Sequence, residues 1–224
     1  MAVVSQSRPS DSPFVETIWQ VQAISDGRDT VVADTSWDML IFVQSGKPSV
    51  SVWGPMTKTA QIPHKAGDEC LGIRFKTGTF MPHLSAEELL VDQGIVLPEA
   101  AGNAFWLNST TWELPDYENA DTFVDWLARR GLVMRDPLVD SVLQGEPGDA
   151  SLRSIQRRFL RTIGLTPSYV RYIERAQQAV ALLEQGIPIL DVVYDLDYTD
   201  QAHLTKSLKR LFGQTPAQIL MKPE

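Results

Sequence analysis

An internal repeat places the strongest constraint on what this chain can fold into. Residues 155–167 read IQRRFLRTIGLTP and residues 204–216 read LTKSLKRLFGQTP, so that equivalent positions lie 49 residues apart. Each copy predicts an amphipathic helix that ends at a glycine, followed by a Thr-Pro pair that begins the next helix. The C-terminal part of the chain is therefore predicted to contain two equivalent helical units.

The two repeated helices have an apolar side and a basic side when their residues are placed at about 100° per residue. The sides predicted to be buried hold Leu152, Ile155, Phe159 and Ile163 in the first copy and Leu204, Leu208, Leu211 and Phe212 in the second. The opposite sides hold Arg153, Arg157 and Arg161, with Gln156 on the flank, and Ala202, His203, Lys206, Lys209 and Arg210. Such side chains suit base edges in a major groove and phosphates beside it. A basic stripe is also an ordinary solvated helix face, but its presence in both copies favours a nucleic-acid partner.

The net charge of −8 argues against a nucleic-acid partner until its distribution is considered. Residues 151–175 carry six arginines and one acid, and residues 201–223 carry four basic residues and no acid. Between them, residues 176–200 carry five acids and no base. Because local bands of charge decide where a phosphate backbone can dock, the two basic bands remain candidates for that contact.

A short predicted helix precedes each basic helix. Pro188 begins one after the stop at Gly186, residues 197–199 form a short turn, and Asp200 begins the basic helix. Asp136 and Pro137 begin a comparable helix upstream of the first copy, and a longer turn ends at the candidate N-cap Ser151. Short helix, turn and basic helix is the helix-turn-helix order. A longer helix over about 166–185 is predicted to join the two units and, if rigid, to fix the distance between them.

The segment from about 136 to 220 resembles the AraC family of bacterial regulators. The matching signature is GLTPSYVRYIERAQQAVALL followed by PILDVVYDLDYTDQAHLTKSLKRLFGQTPAQI. The resemblance implies a DNA-binding domain of two helix-turn-helix units joined by a linker helix. Carried over by position, it places base contacts on Arg153, Gln156 and Arg157 and on Gln201, Ala202, His203 and Lys206. It also implies double-stranded DNA as the partner, and RNA polymerase as a second partner if the protein is an activator.

The second turn departs from the family pattern, which usually has glycine where this chain has Asp197. Aspartate is one of the few other residues that tolerates a positive φ, so we expect the turn to form. Asp191, Asp195, Asp197 and Asp200 also place negative charge close to the predicted DNA backbone contact. We therefore hypothesise that the first unit contributes more of the DNA affinity than the second.

The N-terminal part has the pattern of a β-rich domain. Alternating apolar and polar residues predict strands over 15–24, 38–43, 49–53 and 70–75, separated by Gly- and Pro-containing turns. Short helices are predicted at the capping box 85–88 and over 119–130. The predicted organisation is a flexible lead over 1–13, a β-rich domain over 14–116, a connecting helix within 117–135 and the double helix-turn-helix domain over 136–224. The fold class is α+β, with a small sheet or cupin-like barrel followed by an all-α domain.

The β-rich part loosely resembles the N-terminal domain that often accompanies such DNA-binding modules, through DTSWDMLIF, the turn at Gly54 and CLGIRFKTG. The resemblance implies a domain that binds a small-molecule effector or forms a homodimer. Candidate pocket residues are Trp37, Trp53, Phe75, Trp106 and Trp112, with Arg74 as a partner for an anionic group. The simpler interpretation is that these aromatic residues are core.

Signals for enzyme chemistry are weak. His64, His83 and His203 have no close metal-ligand spacing, there is no Gly-rich phosphate loop, and Cys70 lies in an alternating strand where a packed thiol is expected. We expect no catalytic residues, metal or cofactor. A single cysteine and the lack of a signal sequence or long apolar run predict a cytoplasmic protein with no membrane partner.

Two other functions are compatible with the sequence. One is a helical protein-interaction module that does not bind DNA, which would account for the acidic net charge. The other is a small-molecule-binding or cupin-like catalytic domain with a vestigial DNA-binding tail.

Overall fold

A computed structural model describes residues 3–89 and 94–221 of the chain. The strands, in chain order, are β1 (Val3–Pro9), β2 (Val15–Ala23), β3 (Gly27–Val31), β4 (Asp38–Gln44), β5 (Lys47–Trp53), β6 (Ala60–His64), β7 (Glu69–Phe75), β8 (Thr79–Phe80), β9 (Ile95–Leu97), β10 (Glu99–Ala100), β11 (Ala104–Leu107), β12 (Thr110–Glu113) and β13 (Met134–Arg135). The helices are α1 (Ala86–Leu89), α2 (Ala120–Arg129), α3 (Pro137–Leu143), α4 (Leu152–Thr162), α5 (Pro167–Glu184), α6 (Ile189–Asp195), α7 (Gln201–Phe212) and α8 (Pro216–Leu220).

The N-terminal part is built on an antiparallel six-stranded sheet in the order β1-β2-β7-β4-β5-β9. The four predicted strands are confirmed as β2, β4, β5 and β7, the central members of this sheet. One face of it buries Ile18, Met39, Val52 and Ile73, each fully inaccessible to solvent, in a core that also includes α2. Since alternate residues of a strand point to opposite faces, the neighbouring positions line the second face.

The second face is covered by a two-stranded antiparallel sheet of β3 and β6, which the apolar alternation does not predict. Strand β3 pairs with β6 from Gly27 opposite His64 to Val31 opposite Ala60. Strand β3 is short and polar, and β6 contains a proline, so neither has the alternating apolar pattern used to predict strands. Between the β3–β6 sheet and the six-stranded sheet lies a cavity of about 400 Å³.

Residues 3–9 were predicted to belong to a flexible lead, and the structure corrects this. They form β1, which pairs with β2 along its whole length, from Val3 opposite Ala23 to Pro9 opposite Thr17. Arg8 in this strand also donates to a carboxylate oxygen of Asp121 in α2. Most side chains of β1 are exposed, which is why no apolar alternation marks it.

The C-terminal part is helical, as predicted. Helices α3 and α4 form the first helix-turn-helix unit, α6 and α7 form the second, and α5 joins them. A second core contains Phe159 of α4, Ile173 of α5, and Leu204 and Leu208 of α7. The predicted fold class, a β-rich region followed by two helix-turn-helix units with a linker helix, is confirmed. Among the described helices, none is long and apolar enough to cross a membrane.

Gly72 in β7 allows the indole ring of Trp19 to lie flat across the sheet, on the cavity side. A Cβ atom at this position would lie 2.0 Å from the ring. We expect Gly72→Ala to lower the free energy of unfolding by about 1–3 kcal/mol, because the ring must move out of a packed position. Urea denaturation would measure the change. The matched control is the same substitution in a Trp19→Ala background, and an equal loss in both backgrounds would contradict the steric explanation.

Candidate nucleic-acid interface

An ion pair between a buried carboxylate and a partly exposed guanidinium joins the two helices of the first helix-turn-helix unit. The Asp136 carboxylate, only 2% exposed, caps α3 by accepting from the backbone N–H groups of Leu138 and Val139. Its second oxygen accepts from the Arg158 guanidinium of α4 at 2.7 Å. Arg158 therefore fixes α4 against α3, whereas Arg157 beside it is exposed. Ser151 caps α4 through the N–H group of Ser154, as predicted.

The second unit has the turn geometry that its sequence predicted. Asp197 adopts a positive φ of 52°, so aspartate does replace the usual glycine there. Asp200 caps α7 by accepting from the N–H group of His203 at 2.7 Å. The Tyr198 ring of the turn packs under the Arg175 guanidinium of α5, 4.5 Å from the ring centroid. The turn is thereby attached to the linker helix.

The residues predicted to contact DNA lie on the outer sides of α4 and α7. Exposed side chains are those of Arg153, Gln156, Arg157, Arg161, Gln201, Ala202, Lys206 and Arg210. His203 is half-buried, with its ring edge-on to Tyr198 and 3.3 Å from the Thr199 hydroxyl. One predicted core residue is wrong: Leu152 is 85% exposed, because it occupies the first turn of α4, beyond the end of the helical core. The four aspartates near the second unit are all exposed as well.

The N-terminal region contacts both basic helices near their C-terminal ends. The carbonyls of Arg210 and Leu211 in the last turn of α7 accept from the backbone N–H groups of Thr59 and Ala33, at 3.2 and 2.8 Å. These carbonyls would otherwise be without a partner, since the last four carbonyls of a helix have none within it. At the equivalent repeat position of α4, the Arg161 guanidinium lies 5.8 Å above the Phe80 ring.

The loops that contact α7 are both held by one carboxylate. An oxygen of Asp34 accepts from the N–H groups of Ser36 and Met56, each at 3.3 Å. The other oxygen accepts from the Arg74 guanidinium of β7 at 2.9 Å. Arg74 also donates two hydrogen bonds to Asp38 of β4. Burial is the main cause that raises the pKa of Asp34 to about 7, and the neighbouring Asp38 charge adds to it.

The structure separates the candidate ligand-binding residues into three groups. Trp53 and Arg74 line the cavity between the six-stranded sheet and the β3–β6 sheet. Trp37, Phe75 and Trp112 lie in the core, and Trp37 and Phe75 are about 1% exposed. Trp106 is 45% exposed on β11. Arg74 does not offer a free charge to an anion, because its guanidinium is engaged by two carboxylates.

The described residues contain no group of three or more histidine, cysteine or acidic side chains that could hold a metal. Cys70 is half-buried at the cavity, and burial raises the pKa of its thiol to about 12. The thiol therefore stays protonated at neutral pH, which does not suit a nucleophile.

Comparisons with known proteins identify the C-terminal domain. A family model described as a helix-turn-helix domain matches residues 149–222, and the predicted AraC-type domain is confirmed over that range. A search of curated protein sequences finds no significant match. Among solved structures, the chain is similar to ToxT from Vibrio cholerae O395, with 7% identity, a TM-score of 0.41 and coverage of 99% of each chain.

The raised pKa of Asp34 predicts a pH-dependent stability. Between about pH 4 and pH 7 the folded chain holds a proton on Asp34 that the unfolded chain has lost, so the contribution of this group to stability falls as the pH rises through that window. Urea unfolding of the wild-type protein and of Asp34→Asn at a series of pH values would isolate this contribution. We expect a flatter profile for the variant, and Asp149→Asn, at an exposed carboxylate, is the control. Identical profiles for the wild type and Asp34→Asn would contradict the assignment.

Proposed function

We propose that this protein is a transcription regulator that binds specific double-stranded DNA sequences, because residues 149–222 match a helix-turn-helix family model and the predicted AraC-type units lie there. The observation that carries the proposal is the pair of equivalent helices, α4 and α7, each with exposed basic and polar side chains on its outer side. In this type of unit, the second helix enters the major groove with its N-terminal residues on the base edges.

The positions along each helix suggest separate roles for its side chains. Arg153, Gln156 and Arg157 lie in the first half of α4, where they would contact bases. On α7, Gln201, His203 and Lys206 would do the same, and Ala202 would offer only a methyl contact to thymine. Arg161 and Arg210 lie further along their helices, where they would contact phosphates. The aspartates around α6 support a weaker contribution from the second unit.

The contacts between the N-terminal region and the basic helices support a regulated DNA contact. Both α4 and α7 are held near their C-terminal ends, while their N-terminal halves stay exposed. A small molecule that alters the N-terminal region would change how these helices are presented to DNA. Such a regulator would act in the cytoplasm, with RNA polymerase as a partner if it activates transcription. A homodimer is compatible with it, and so is a monomer, because one chain already carries two units.

Substitutions in the two units test the proposal. The DNA is first selected from a random pool with the full-length protein. We expect Arg157→Ala to weaken binding by about ten- to a hundredfold, since a base contact contributes about 1–3 kcal/mol. Lys206→Ala should weaken it less. Titrations at several salt concentrations should give a steep negative slope of log K on log salt for the wild type.

The control variant is Arg129→Ala, at an exposed arginine of α2 outside the helix-turn-helix units. It should bind as the wild type does. A larger loss from Lys206→Ala than from Arg157→Ala would refute the dominance of the first unit. A salt-independent affinity, or no preference over random duplex, would refute DNA recognition itself and favour a protein-interaction module.

A further inference from the structure

We propose that the cavity between the six-stranded sheet and the β3–β6 sheet binds an elongated apolar molecule that carries a protonated amine at one end. This inference rests on the proposed response to a small molecule, and it adds the chemical class of that molecule.

The walls of the cavity are apolar and firmly positioned. Its volume of about 400 Å³ lies in the range of small-molecule sites. Trp19, Leu40 and Phe42 line it from the six-stranded sheet, and Ile62 lines it from the β3–β6 sheet. The Trp19 ring is fixed over Gly72, and the Trp53 indole N–H donates to the Ser51 hydroxyl at 2.9 Å. The two indole rings provide faces on which an apolar or cationic group can pack.

The polar groups at the cavity give it an excess of negative charge. The acidic residues that line it are Asp29, Asp38, Asp68 and Glu69, although the side chain of Glu69 shares the core-facing side of β7 with Ile73, and the basic residue that lines it is Arg74. Arg74 is already held by Asp38 and by Asp34 behind it. An anionic ligand would therefore meet carboxylates without a free cation to balance them. A cationic ligand would reduce the excess charge, so the electrostatics favour an amine over a carboxylate.

His64 indicates the end of the cavity at which the amine would bind. Its side chain is 11% exposed and lines the cavity, and both ring nitrogens are buried with no hydrogen-bond partner in the described part of the chain. The nearest carboxylate oxygen, on Asp29, lies 3.7 Å away, beyond hydrogen-bonding distance. A neutral imidazole has one acceptor nitrogen, and a buried polar atom without a partner is unfavourable. An ammonium group could donate to the acceptor nitrogen of His64 and face the carboxylate of Asp29.

The register of the strands gives the distance that the ligand would span. His64 pairs with Gly27 at one end of the β3–β6 sheet. This end lies near Ala23 and Asp68, where β7 begins. The Arg74–Asp38 pair lies at the other end of the sheet, where β7 ends. From Cys70 to Arg74 the strand rises by about 13 Å, at roughly 3.3 Å per residue. A ligand with its amine at His64 therefore extends its apolar body over Trp19 towards the Arg74–Asp38 pair.

The far end of such a ligand would lie beside the interactions that hold α7. Arg74 is bonded to Asp34, and Asp34 holds the loops that donate to the last turn of α7. A ligand that displaces Arg74 would loosen both loops, and one that packs against it would hold them. Occupancy of the cavity is thereby coupled to the orientation of the second basic helix.

Three probes that differ only in their end group test the ligand class: 4-phenylbutylamine, 4-phenylbutanol and 4-phenylbutyrate. Each is titrated calorimetrically into the full-length protein at neutral pH. We expect the amine to bind at least tenfold more tightly than the alcohol and the carboxylate to show no measurable binding. Equal affinities for the amine and the carboxylate, or no binding of any probe, would overturn the proposal. This comparison uses the wild-type protein and does not depend on any variant folding.

Two variants locate the site. Asp29→Asn should remove most of the preference for the amine over the alcohol, and Leu40→Trp, which fills the cavity, should abolish binding of both. Asp149→Asn, outside the N-terminal region, should bind like the wild type. Unchanged amine binding in both cavity variants, with wild-type circular dichroism, would place the ligand elsewhere and refute the site.

The DNA titration separates this inference from the proposed function. Specific DNA binding without amine binding would refute the ligand class alone. Amine binding without specific DNA binding would refute the regulatory function and leave the ligand chemistry standing. If both hold, the amine should change the affinity for DNA, and the change should be lost in Asp34→Ala.

Discussion

The buried carboxylate of Asp34 ties together parts of the molecule that lie far apart in the chain. It accepts from Arg74 in the sheet and from the backbone of two loops, and those loops complete the last turn of α7. A carboxylate in this position is costly to bury, and burial accounts for most of the rise in its pKa to about 7. The cost is offset by three hydrogen bonds, which hold the cavity and a basic helix in one arrangement.

The helical domain could be predicted from the sequence because its signals are local. Caps such as Ser151 and Asp200, the glycine stops and the 49-residue repeat each lie within a few positions of the element they define. The strands of the central sheet were predictable for the same reason. The two-stranded β3–β6 sheet and the edge strand β1 could not be predicted, because backbone pairing defines them and they lack apolar alternation.

The contacts between the two regions left no signature in the sequence. The bonds from Ala33 and Thr59 to α7 join backbone atoms, so any residue except proline could donate them. The Asp34–Arg74 pair joins residues 40 positions apart, and nothing in the composition connects them. Similarly, Arg157 and Arg158 are neighbours of the same type, and only the hydrogen bond to Asp136 gives Arg158 a structural contact while Arg157 is exposed.

The docking of α4 and α7 at equivalent repeat positions has a geometric consequence for the DNA. If α4 and α7 read DNA as proposed, their contacts with the N-terminal region limit how far they can move to follow a displaced target. Inserting one base pair between the two half-sites moves the second by about 3.4 Å along the duplex axis and turns it by roughly a tenth of a revolution. The spacing of the half-sites along the duplex would then be recognised together with the bases themselves.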